Sequence, residues 1–340
     1  MRIEAFACPW RCLRLALVLT ALTTSAREIR AAELTSFKIG ISAPVVTIFP
    51  VWMAQATGLY EKEGIKAEVI NMEGGTRGLQ VLLSGEIDAM HVGMAPVVLA
   101  NKQGADLRLV TSTCNTIPIT MFSKTALGMD NLKGKTFGIS TFGSETDIAI
   151  SILLKRLGLT RQDITVAQIG GSSQRFAALI AGRIDVAPLI EPGITLAKER
   201  GFNPLVDLAA ANTPWLFDSL VVNNSYLRRN RDTLTRFVKA YVAGAYLALS
   251  DEAKAKQVIA QKFRTDDPKV IAATLADFKR LMPRDAAPSP EGARNVLDQL
   301  AAIGTDVGSN NVSDYVELRV IDSLKQEGYF ARLEQAYPLR

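Results

Sequence analysis

One phrase occurs twice in this chain. LLSGEIDAM runs over Leu82–Met90 and LIAGRIDVA over Leu179–Ala187, placing Gly85 and Gly182 97 positions apart. A single short match constrains little, but the flanking segments repeat with it. Ahead of the first copy come an apolar run, Phe37–Ser42, a helical stretch through Trp52-Met53-Ala54 to Tyr60, a strand over Ala67–Met72, and Gly74-Gly75-Thr76. Ahead of the second come Thr136–Ser140, a helix over Thr146–Leu157, a strand over Ile164–Ile169, and Gly170-Gly171-Ser172. Ser42 precedes Asp88 by 46 positions and Ser140 precedes Asp185 by 45. The chain therefore reads as two related βαβαβ lobes, an α/β fold with parallel strands and right-handed crossovers.

In open parallel sheets, ligands bind beyond the carboxyl ends of the strands. Each lobe presents three loops at that edge: Ser42–Thr47, Gly74–Thr76 and Gly93–Pro96 in the first, and Ser140–Thr146, Gly170–Ser173 and Glu191-Pro192 in the second. Two such edges facing each other make a cleft. Gly75 and Gly171 let backbone amides approach a ligand, and the helices that follow turn positive N-termini toward it. Thr76, Ser172 and Ser144 add hydroxyls. Tight turns alone also explain paired glycines, and simple capping also explains Ser144 with Thr146. Phe49, Trp52, Phe142, Trp215 and Phe217 lie near these loops and can sandwich a flat ligand or pack into a lobe. Arg77 and Arg175 follow the paired glycines and suit either a carboxylate or a solvated helix face.

Asp88 and Asp185 invite a catalytic reading as paired carboxylates. Each stands at the start of its strand, away from the ligand edge, so local capping of the Gly-x-Ile-Asp turn is the expected role. His91, the sole histidine of the chain, falls within an apolar strand. Neither a nucleophile elbow nor a zinc-type Cys/His cluster, P-loop or full dinucleotide fingerprint occurs. Catalytic, metal and cofactor roles are therefore not expected.

Residues 1–26 read as a secretory leader: Arg2, Arg11 and Arg14, the apolar run Leu15–Leu22, and small residues at Thr24-Ser25-Ala26. An alternative cut follows Ala32. Cutting after Ala26 changes the formal charge from +5 to +3, too mild a value to imply a nucleic-acid partner. Cys8 and Cys12 leave with the leader, and Cys114 is read as a small buried apolar residue. The mature chain is expected to be soluble and exported, and the resemblance described next implies the periplasm.

The ordered set Ser42-Ala43-Pro44, Gly58-Leu59-Tyr60-Glu61-Lys62-Glu63-Gly64-Ile65, Gly74-Gly75-Thr76 with Ser84-Gly85-Glu86-Ile87-Asp88, and Leu132–Ser140 resembles the nitrate/sulfonate/taurine-type periplasmic binding proteins of ABC importers. That group includes SsuA/THI5-like and NMT1-like chains and pyrimidine-precursor synthase-like domains. The resemblance implies a type II periplasmic binding-protein fold. Lobe I would comprise residues 33–117 with 218–340, and lobe II residues 118–217. It implies a monomer that captures a small anion for an inner-membrane permease; the first loop, Ser42–Pro50, with Pro44-Val45-Val46 and no further polar residue but Thr47, favours an organic anion, a sulfonate or carboxylate with an aromatic or apolar body. The implied contacts are Ser42, Thr47, Phe49, Gly75, Thr76, Ala95, Pro96, Phe142, Gly143, Ser144, Gly171, Ser172, Glu191 and Trp215. The alternatives are a same-fold synthase-like enzyme using His91 with a lysine and a cofactor, and a ligand sensor docking on a receptor.

Overall fold

In the computed structural model, residues 33–338 are described; the leader assigned to residues 1–26 and its alternative cut after residue 32 lie outside them. Ten strands follow in chain order: β1 (Thr35–Ile41), β2 (Ile65–Asn71), β3 (Ala89–Val92), β4 (Leu107–Thr116), β5 (Thr120–Ser123), β6 (Thr136–Ile139), β7 (Thr165–Gln168), β8 (Val186–Leu189), β9 (Asn203–Asp207) and β10 (Pro214–Asn223). They form two five-stranded sheets, ordered β2-β1-β3-β10-β4 and β7-β6-β8-β5-β9. Within each sheet the repeated strands pair in parallel, the first of each trio in the middle. The fourth strand of each is antiparallel and arrives by the crossing from the other half: β5 against β8, and β10 against β3. This is the type II periplasmic binding-protein fold. β10 pairs in the first sheet from Pro214 onward. Trp215 and Phe217 thus sit on a strand of the first sheet, although the expected boundary put them in the second lobe.

The repeated phrase is a joint. Gly85 and Gly182 stand at the ends of the helices Gly75–Ser84 and Ser172–Ile180, with φ of +81° and +68°. An added Cβ at either would meet nothing within 4 Å, so the left-handed backbone, not crowding, selects glycine. The aspartates do not cap this turn locally. Asp88 Oδ2 accepts from the Lys38 amide at 2.7 Å, and Asp185 Oδ2 from the Thr136 amide at 2.8 Å. β3 starts opposite Ile39, and β8 meets β6 at Phe137. Each aspartate therefore satisfies an amide just short of the parallel ladder, where the neighbouring strand would otherwise leave it bare. Asp88→Ala and Asp185→Ala are each expected to lower stability by about 1–2 kcal/mol in urea unfolding, with no change in m-value.

The first sheet is backed by helices that return after β10. The helix Arg231–Ser250 lies along Phe49–Ala56, and Phe37, Tyr60 and Phe237 stack with centroids 4.0 and 4.8 Å apart. Gly244 permits this approach, since a Cβ there would fall 2.6 Å from the Pro50 carbonyl oxygen. Asp267 and Ser289 cap the helices Pro268–Leu281 and Pro290–Ala302. Cys114 is fully buried, and burial pushes its thiol up. No helix among the described residues is long and apolar enough to cross a membrane.

Candidate functional site

Four helices begin where the strands of the two sheets end, and all four direct their first turns at one cavity of about 50 Å³. They are Gly75–Ser84 and Met94–Lys102 from the first half, and Glu145–Arg156 and Ser172–Ile180 from the second. Gly75, Gly93, Ser144 and Ser172, at or next to these N-termini, line the cavity. Free amides and aligned helix dipoles give it a positive cast. A water molecule needs roughly 10–15 Å³ measured in this way, so the cavity holds only a few heavy atoms.

Arg175 supplies a full charge. It lies in the first turn of Ser172–Ile180 and lines the cavity while only 2% exposed. Nε donates to the Pro188 carbonyl at 2.8 Å and Nη1 to the Gly170 carbonyl at 2.5 Å. Among the described residues Nη2 donates to no protein group, and no carboxylate pairs with the guanidinium. Burial without a counter-charge depresses its pKa to about 9. An anion in the cavity relieves that penalty.

Glu145 is a buried acid in the same wall. Oε1 accepts from the Ala95 amide at 2.9 Å and Oε2 from the Trp215 indole N–H at 2.8 Å. Both donors belong to the first half, so this carboxyl joins the halves across the cleft. Desolvation outweighs these two bonds and raises its pKa to about 8. Gly93 makes room for it: a Cβ there would stand 2.1 Å from Oε1 and 2.4 Å from the Phe217 carbonyl oxygen. Gly93→Ala is expected to expel Glu145 from its seat, costing about 1–3 kcal/mol as an overpacked site. Lower thermal stability and an enlarged radius of gyration in small-angle scattering are the readouts.

Asp218 forms the floor. Oδ1 meets His91 Nδ1 at 2.7 Å, and Oδ2 accepts from the Thr47 hydroxyl. The other imidazole nitrogen meets the Tyr241 hydroxyl at 2.9 Å. His91 is fully buried behind Asp218, with both ring nitrogens engaged.

Of the residues expected at the site, Ser42, Gly75, Ser144 and Ser172 meet at the cavity. Ala95 and Trp215 act one step back, as the donors to Glu145. Thr47 likewise stands behind Asp218. Phe49 does not reach the cavity: it is fully buried against Phe278, edge to face at 5.1 Å. Trp52 packs on Phe263. Thr76, Pro96, Phe142 and Gly143 line a separate groove outside the cleft, where Phe142 is 53% exposed. There Thr76 Oγ1 donates to the Phe142 carbonyl, a second contact between the halves. Gly171 caps the helix that carries Arg175. Glu191 turns away: its carboxylate accepts from the Thr195 amide and hydroxyl, and its carbonyl accepts from the Val46 amide. The expected aromatic sandwich is absent from the lining, where Phe217 is the one aromatic residue. Sequence reasoning passed over Arg175 as one of two equivalent arginines and missed Asp218.

Two βαβαβ halves that meet at a cavity at their strand ends, lined by both charged and apolar side chains, define the binding-protein class of α/β folds. The chain belongs to the NMT1/THI5-like family, whose family model matches residues 46–255. It is 25% identical to YtlA of Bacillus subtilis (strain 168) over 258 residues, covering 73% of this chain and 77% of that one. In structure it is similar to the ligand-binding component of an ABC-type import system from Staphylococcus aureus. That match has a TM-score of 0.70 and 17% identity, over 85% of this chain and 98% of the other. It is also similar to the alkanesulfonate-binding protein SsuA from Xanthomonas axonopodis pv. citri, with a TM-score of 0.68 and 23% identity over 84% and 99% of the two chains.

Proposed function

We propose that this protein is a periplasmic solute-binding protein that captures a small organic anion, a carboxylate or sulfonate, and delivers it as a monomer to an inner-membrane ABC permease. The observation that carries this reading is Arg175: a buried guanidinium without a counter-charge, at the meeting point of four helix N-termini. Ser42, Ser144 and Ser172 surround it with hydroxyls. The leader at residues 1–26 accounts for export, and the two lobes, the second ending before β10 begins at Pro214, close on the ligand about the crossings. The relatives that serve ABC-type import and bind alkanesulfonates support the same role. We read the protein as a binder and not an enzyme. His91, which a synthase-like reaction would need, is sealed behind Asp218 and hydrogen-bonded at both nitrogens. Isothermal titration of the exported protein against small carboxylates and sulfonates tests the reading. Saturable one-to-one binding is expected, and turnover of the added acid without saturable binding refutes it.

A further inference from the structure

An anion that enters the cavity meets two carboxyl groups on its lining, Glu145 and Asp218. Asp218 is answered, because His91 and Thr47 hold one oxygen each. Glu145 has no such partner. Its oxygens take the Ala95 amide and the Trp215 indole N–H, both neutral, and no cation lies within ion-pair distance of it among the described residues. Arg175 compensates one negative charge, and in the liganded protein the ligand is that charge. An ionised Glu145 would be a second, confined with the first to a space of about 50 Å³, and like charges sharing one site do not both ionise. Turning away would give up both of its bonds to the first half.

We propose that the ligand is captured together with a proton: Glu145 lies against the bound anion as a neutral carboxylic acid and donates its O–H to an oxygen of the ligand's acid group. The inference rests on the anion reading above and deepens it. The proton passes from solvent to the Glu145 carboxylate, and no bond of the ligand changes. A carboxyl oxygen has two acceptor sites, so the protonated one keeps its bond to the first half. Burial already raises this group to about 8, and an anion beside it raises it further. The other titratable groups on the lining are Asp218, from β10, which favours the neutral acid, and Arg175, from Ser172–Ile180. His91 lies behind Asp218, the helix Met94–Lys102 offers only an amide, and Asp147, on the same helix as Glu145, pairs with Arg161 at 2.7 Å. By linkage, capture strengthens as the medium acidifies.

The test is calorimetry on the exported protein with acetate, propionate, methanesulfonate and ethanesulfonate, all ionised throughout the window used. For the tightest of them, buffers of different ionisation enthalpy are expected to register uptake of about half a proton or more per ligand near pH 8. The Kd is expected to rise at least about 3-fold from about pH 6.5 to about pH 8.5. Arg175, depressed to about 9, loses its charge mainly above that window. Glu145→Gln keeps a donor toward the ligand, and its Kd should change by less than about 1.5-fold over the same range, with a melting curve confirming the fold. Infrared difference spectra of the wild-type protein need no variant: adding ligand near pH 8 should increase a protonated-carboxyl band that shifts with isotope-labelled glutamate. Saturable binding without proton uptake, or without that band, overturns the proposal and leaves the anion reading standing. Uptake that persists unchanged in folded Glu145→Gln removes Glu145 as the carrier. Binding of none of the four acids overturns both readings.

Discussion

Replacing Arg175 with methionine is expected to weaken binding of an acidic ligand by at least about 100-fold, while moving the stability of the unliganded protein by no more than about 2 kcal/mol. The two effects part because the guanidinium has different partners in the two states. In the liganded protein it forms a desolvated ion pair, and removing one member of such a pair costs about 3–5 kcal/mol. That range begins above the 2.8 kcal/mol or so that corresponds to 100-fold. In the unliganded protein the charge is buried at a cost, which its bonds to the Gly170 and Pro188 carbonyls offset. Methionine removes the charge and the two donors together, so its effects on stability oppose each other. Titration calorimetry and urea unfolding of the same preparation separate them. An affinity for acids that survives the substitution would remove Arg175 from the site. A loss of stability as large as the loss of affinity would mark it as a structural residue instead.

The helix-stop and strand-start joint was legible because it is made of local chemistry. Glycine alone relaxes into the left-handed turn at Gly85 and Gly182, and Asp267-Pro268 and Ser289-Pro290 are local helix starts. The same holds for Ser144 and Ser172, whose places at helix N-termini follow from the strand–loop–helix order. What failed to read was direction. Phe49 and Phe142 occupy loops or helix starts beside the cleft, yet one points into the core against Phe278 and the other outward. Neither direction is encoded in sequence spacing; that of Phe49 depends on Phe278, on a helix that returns only after β10. Arg175 was indistinguishable from Arg77 for the same reason: its burial depends on carbonyls of Gly170 and Pro188, the second on a different strand. Asp218 had no local signal. It reaches the cavity because the crossing strand β10 inserts between β3 and β4, opposite His91's strand. The paired aspartates stand away from the ligand edge, as their place at the strand starts implies, but their partners are not local. Parallel register, which sequence does not display, decided that the partner is the neighbouring strand.

The closed, unliganded cleft is expected to loosen as pH rises from about 5 to about 8, and Glu145 sets the sign. Its pKa is raised from the ordinary 4.5 to about 8 by burial. The closed state therefore binds more protons than a state in which this carboxyl is hydrated, and by linkage its stability falls with rising pH. The contribution is fully present below the ordinary value, declines through the window between the two values, and levels off above about 8. A shift of this size corresponds to a few kcal/mol at most, on the order of what a hinge closure without ligand has to spare. Opening the cleft hydrates the carboxylate without unfolding either sheet, so the loss appears first as opening. Small-angle scattering should show a radius of gyration that grows between pH 5.5 and pH 8.5, with the melting temperature falling over the same range. The charge that acts on it is Asp218, which favours the neutral acid; Arg175 lines the same cavity. Glu145→Gln removes this titrating group, and the radius-of-gyration profile should become flat across that window, while the melting temperature keeps the shallower fall that the acids Glu191 and Asp277, also raised by desolvation, impose. A pH-independent radius of gyration in the wild-type protein would mean that Glu145 is hydrated in the unliganded state and does not hold the halves together.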